Sequence, residues 1–258
     1  MRDRLSWGVK MPRHARRKSK TGIYHVILRG TNRQIIFEDK EDNDKAIEIL
    51  SKYRAICGYR LFAYCLMGNH IHLLIKTEKE DIDLIVKRIA CNYVYWYNLK
   101  YRRIGSLFQD RYKSETVESD RYLLAVLRYI HQNPLKAGLC KEISDYKYSS
   151  YGDYIKGESG LLDLGFIYSL IDKESFVAFS DGNYETECLD VKDSGFRIND
   201  VDAMAIIRKV SMCSSSAEFQ QLEVGRRDFY IRKLKTERLS IRQISRLTGV
   251  NFGIVRRL

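Results

Sequence analysis

Long apolar runs are missing from this chain. No stretch of its 258 residues is long enough to cross a bilayer as a helix. The basic start, MRDRLSWGVKMPRHARRKSK, has no apolar segment behind it, so no secretory signal is expected. Cysteine pairs are missing too. Cys57, Cys65, Cys91, Cys140, Cys188 and Cys213 form no CxxC, which argues against a zinc ribbon. Scattered single cysteines fit a reducing cytoplasmic compartment, where they act as small hydrophobes, and Cys65 reads as core. Acidic residues are outnumbered: 45 Lys and Arg face 33 Asp and Glu, a net charge of +12. A chain this basic expects a polyanionic partner, nucleic acid before a membrane surface.

Apolar residues still make up 45% of the chain and aromatics 12%, enough to bury a core. The charge is uneven. Residues 1–155 carry +11, residues 156–200 carry −6 and residues 201–258 carry +7. We read a basic arm over 1–20, a first domain over 21–155, an acidic linker or connecting segment over 156–200, and a helical domain over 201–258. Within the first domain, YHVILRG, RLFAYCLM, HIHLLIK and RYKSETVE have strand composition or alternation. The second and third join through Gly68-Asn69, a hairpin signal. EDKEDNDKAIEILSKYRAICG and DIDLIVKRIACNYVYWYNLKYRR read as helices, and so does SDRYLLAVLRYIHQNP, which should stop near Pro134. The order β, α, β, β, α, β is the ferredoxin-like pattern. It predicts an α+β domain with an antiparallel sheet and helices on one face.

His70 and His72 flank Ile71 on the third strand. Alternate residues of a strand share a face, about 7 Å apart along it, so both imidazoles can turn toward one divalent ion. Two histidines alone are also an ordinary pair on a polar sheet face, and a catalytic ion needs a third ligand. On the third helix, Tyr129 and Asn133 are four apart and share a face, with His131 and Gln132 off it. Arg29, Asn32 and Arg33 follow the first strand as candidate phosphate contacts. Arg111, Tyr112 and Lys113 combine charge with an aromatic, as single-strand binding surfaces do. His14 reads as a tail residue, and His25 as a strand residue with no obvious partner.

GNHIHLLI, YHVILRGTNRQIIF, GSLFQDRYKSE and YLLAVLRYIHQNPLKAGL together resemble the single-tyrosine HUH transposases of bacterial insertion sequences, most of all the REP-associated tyrosine transposases. The resemblance spans roughly residues 8–155. It implies that His70 and His72 bind Mg²⁺ or Mn²⁺ and that Tyr129 is the nucleophile. It implies that Asn133 completes the metal site, with Gln132 and His131 as fallbacks. It also implies single-stranded or hairpin DNA as substrate, and it allows a homodimer.

The chain closes on ERLSIRQISRLTGVNFGIVRRL. Leu239, Ile241, Ile244, Leu247, Val250, Ile254 and Val255 give helix-turn-helix spacing, with Gly249 in the turn. Arg242, Arg246, Arg256 and Arg257 are its candidate DNA contacts; the alternative is a small helical bundle used for dimerisation. The rival functions are a DNA-binding regulator that has lost catalysis and an RNA-binding module with aromatics on an open sheet face.

Overall fold

The computed structural model describes residues 16–31, 34–182, 188–190, 198 and 200–258. Four strands and three long helices follow in order: β1 (Ile23–Arg29), α1 (Lys40–Cys57), β2 (Arg60–Met67), β3 (His70–Lys76), α2 (Ile82–Lys100), β4 (Lys113–Thr116) and α3 (Asp120–Lys136). The strands lie in the order β2-β3-β1-β4, each neighbour antiparallel. This is the expected ferredoxin-like α+β arrangement. Asp39 opens α1 in a reciprocal capping box with Asp42, and Gly58 closes it in the left-handed conformation. Lys100 of α2 reaches Asp39 and Asp42, which ties the two helices together.

One expectation fails. Helices cover both faces of the sheet, not one. Ala46 and Leu50 of α1 and Ile89 and Tyr93 of α2 pack with Leu28, Leu66, Ile71 and Leu73 of the sheet. On the other face lies α3. A sheet wet on one side would alternate buried and exposed residues; nearly every residue of β1, β2 and β3 is buried. Ser119 caps α3 through the Tyr122 N–H. The helix does not stop before Pro134 but runs on to Lys136. The Asn133 carbonyl still accepts from Ala137 and the Pro134 carbonyl from Leu139, both at 2.9 Å. A proline in the last turn forfeits one bond without ending the helix.

The stretch read as an acidic linker is, in its first half, part of the same domain. After α4 (Tyr151–Lys156) come α5 (Leu164–Tyr168) and α6 (Lys173–Asp181). Leu161, Leu162, Leu164, Ile167 and Phe176 enter the main core. Its charge sits on the outward face of short amphipathic pieces, and composition alone does not separate that from a linker. The end of the basic arm is also tied down. Arg16 bonds Asp83 (2.6 Å) and the Tyr112 carbonyl (2.7 Å), and Ser19 N–H donates to the Tyr24 hydroxyl. Residues 1–15, with His14, lie outside the described residues.

Five further helices, α7 (Asp200–Ser211), α8 (Ser216–Gln221), α9 (Val224–Thr236), α10 (Ile241–Thr248) and α11 (Phe252–Arg257), share a separate core around Ala203, Ile207, Phe219, Ile231, Leu234, Ile244 and Val255. Gly249, at φ 73°, ends α10, and Asn251 caps α11 through the Gly253 N–H. Two separate cores imply two cooperative units. Phe219 is fully buried in the smaller one. Urea unfolding should therefore show two transitions. Phe219→Ala should lower one of them by about 3–5 kcal/mol and leave the other in place; a single transition that shifts as a whole would contradict the two-core description.

Candidate active site

The site is assembled by strand register. β1 and β3 pair so that Arg29 faces His70 and Ile27 faces His72. His25, two residues from Ile27, therefore joins the face of the two histidines. β4 adds Lys113 opposite Ile27 and Glu115 opposite His25. One face thus carries His25, Arg29, His70, His72, Lys113 and Glu115. Over it lies α3, which brings the Tyr129 ring to 5.9 Å from both the His25 and His72 rings. The His70 and His72 rings are 4.8 Å apart. The pair is not a partly exposed surface feature: His70 is 6% exposed and His72 fully buried.

Buried imidazoles need partners, and those met here were not legible in the sequence. Asn69 Oδ1 lies 2.5 Å from His70 Nδ1. His25 Nε2 lies 3.0 Å from His72 Nδ1, and His25 Nδ1 lies 2.7 Å from Glu115 Oε1. The Tyr122 hydroxyl donates to Glu115 Oε2 at 2.9 Å, and the Leu189 N–H donates to both Glu115 oxygens. Burial alone would raise the Glu115 carboxyl, but the hydrogen bonds from His25, Leu189 and Tyr122 hold it below the usual carboxylate range. Burial, and then the nearby His70 and His25, hold His72 far below the ordinary imidazole range, so it is neutral. Its Nε2 is buried and meets no hydrogen-bond partner among the described residues.

Tyr129 is half-buried, and its hydroxyl forms no hydrogen bond of normal geometry. Burial raises its phenol well above the usual range. The Asp190 carboxylate raises it further, and the Asn133 amide opposes both. Lys136 holds its ammonium 5.1 Å from the ring centroid. Tyr122, the other tyrosine of this helix face, is committed to Glu115 instead. Asn133 is buried one turn after Tyr129, and its Nδ2 donates to the Tyr129 carbonyl at 3.0 Å. The two fallback ligands are ruled out by direction. Gln132 bonds the Ser180 and Gly182 carbonyls beside α6. His131 is fully buried, 2.8 Å from Ser150 Oγ, among the rings of Tyr151, Tyr154 and Phe176. Burial pushes its imidazole down to about 3, a neutral core histidine. Among the described residues no group of three or more His, Cys, Asp or Glu gathers for a metal.

The expected DNA contacts fall into two groups. Arg29 and Lys113 lie on the histidine face, with Arg111 exposed just ahead of β4. Arg242, Arg246, Arg256 and Arg257 are exposed on α10 and α11, and Arg246 is paired to Asp200 at 2.6 Å. Asn32 and Arg33 lie outside the described residues. Tyr112 is no open stacking platform: its hydroxyl donates to Asp83, and the Arg16 guanidinium lies 3.6 Å over its ring.

Residues 18–133 match the family described as IS200-like transposases. A Haemophilus influenzae protein named as a REP-associated tyrosine transposase is 28% identical over 167 residues, 57% of this chain and 90% of that one. A REP-associated tyrosine transposase solved bound to a REP hairpin aligns with 73% of this chain and 99% of its own. That match has a TM-score of 0.51 at 17% identity, a likeness of fold alone. The matched residues run from ahead of β1 through His70, His72 and Tyr129 to Asn133, so it is this first domain that is similar to the IS200-like transposases.

Proposed function

We propose that the chain is a metal-dependent HUH-type nickase and strand transferase acting on single-stranded or hairpin DNA, with Tyr129 as its nucleophile. The observation that carries this reading is the meeting of Tyr129 with the buried His70–His72 pair across the sheet–helix interface. The buried Nε2 of His72, without a hydrogen-bond partner among the described residues, supports a cation site. Two imidazoles with the Asn133 amide suit Mn²⁺ or Mg²⁺, and the nitrogen donors lean toward Mn²⁺. Bound there, the cation would neutralise charge building on the scissile phosphate and orient it.

The residues of the chain supply the rest. Tyr129 Oη attacks phosphorus; the Oη–P bond forms and the P–O3′ bond breaks. The phenol gives up its proton, and the departing 3′ oxygen takes one up. The products are a 5′-phosphotyrosine and a free 3′-OH. The ester is kept, so a second DNA 3′-OH can reverse the step onto new DNA without a nucleotide cofactor. At rest the phenol is held protonated. The Asn133 amide and the Lys136 ammonium are the groups placed to favour phenolate. Arg29 and Lys113 would hold backbone phosphates at the same face. The exposed arginines of α10 and α11 would engage duplex DNA as a helix-turn-helix, and the REP hairpin bound by the structural relative is the model for the substrate class.

One observation favours the catalytically silent regulator: Asp190 stands beside the Tyr129 hydroxyl and holds it protonated. The RNA-binding reading loses its support, because helices cover both sheet faces and leave no open aromatic platform.

Tyr129→Phe should abolish a covalent adduct on single-stranded oligonucleotide in Mn²⁺, seen as a shifted band on a denaturing gel, while filter binding of the same DNA persists. Tyr122→Phe should still form the adduct; loss in that variant alone would move the nucleophile. Asp190→Asn should lower the Tyr129 phenol toward its usual range, followed by NMR of ring-labelled tyrosine with Tyr129→Phe for assignment. Arg256→Ala should weaken duplex binding at all sequences and reduce the salt dependence of log K by about one.

A further inference from the structure

One acceptor-only group decides which nitrogen of His25, and then of His72, carries its proton. The Glu115 carboxylate can only accept, so His25 Nδ1, 2.7 Å away, is the donor. A neutral His25 then has a lone pair on Nε2, and Nε2 accepts from His72 Nδ1–H at 3.0 Å. Neutral His72, with its proton on Nδ1, has a lone pair on Nε2, the buried atom that meets no hydrogen-bond partner among the described residues.

We infer that Glu115 and His25 form a carboxylate–imidazole relay that fixes the tautomer and orientation of His72, so that its Nε2 lone pair is set for a cation before it arrives. The role assigned to that lone pair rests on the metal reading proposed above; the tautomer itself does not. His25 and Glu115 are positioning residues. They act on the site through His72 and need not touch substrate. The relay is well anchored. Tyr122 Oη–H and Leu189 N–H fill the other positions around the Glu115 carboxylate, so its oxygens stay acceptors and do not turn away. The His25 and His72 rings stack at 5.2 Å, with planes 20° apart, which leaves little freedom to flip. Partners of this kind typically change metal affinity by about 10–100-fold.

Two readouts test the relay. In metal-free, ¹⁵N-histidine-labelled protein near neutral pH, long-range ¹H–¹⁵N spectra should show His72 protonated on Nδ1 and bare on Nε2. Titration with Mn²⁺, followed by loss of the free-ion EPR signal, should give about 10–100-fold weaker binding in Glu115→Gln and His25→Leu. His25→Gln, which keeps an acceptor oxygen toward His72 Nδ1, should recover much of that loss. A wild-type His72 protonated on Nε2 would overturn the relay. So would unchanged Mn²⁺ affinity in both Glu115→Gln and His25→Leu. If His25→Gln binds no better than His25→Leu, the role is packing alone and the relay also fails. No Mn²⁺ binding by the wild type, with the tautomer as stated, would remove the metal reading and leave the relay standing.

Discussion

The antiparallel pairing of β1 with β3 is the constraint on which the site depends. A strand has a period of two, so a slip of one residue would move His70 and His72 to the opposite face and bring Ile71 to meet α3. The register is protected because an error would be costly on both sides. Leu28, Ile71 and Leu73 fill the core under α1 and α2. The histidines on the other side have their hydrogen bonds satisfied only in this pairing. Polar and apolar interactions therefore select the same alignment.

Burial then gives the site its chemical character. Covering the histidine face with α3 removes water from the imidazoles and from Tyr129 together. Desolvation keeps His72 neutral and keeps the Tyr129 phenol protonated. The same helix has a purely structural side. His131, two residues from Tyr129, is as buried as His72, yet it sits among aromatic rings with one hydroxyl partner. Histidines on one helix and one strand thus end in opposite roles through what surrounds them.

Much of the first domain was legible in the sequence. The strands and long helices announce themselves by alternation, apolar periodicity, Asp39, Gly58 and Ser119. HIH and the downstream Tyr129, singled out in the sequence, do meet across the sheet–helix interface. Three things were not legible. The second covered face was hidden because the period of α3 shows which of its sides is apolar but not which face of the sheet it covers. The passage of α3 through Pro134 was hidden because a late proline costs only one bond. His25 was read as a strand residue without a partner, because its partners lie 47 and 90 positions away in the chain.

The sequence by itself determined which residues share a face of each element, since the periods of helix and strand are local properties of the backbone. That was enough to place His70 with His72 and Tyr129 with Asn133. Only the tertiary structure decided which faces meet. It brought β1 and β4 to the histidine strand, put Glu115 behind His25 and His25 behind His72, and turned Gln132 and His131 away. Hydrogen-bond partners of buried polar groups are set by register and packing between distant segments, and neither is encoded in the spacing of neighbours along the chain.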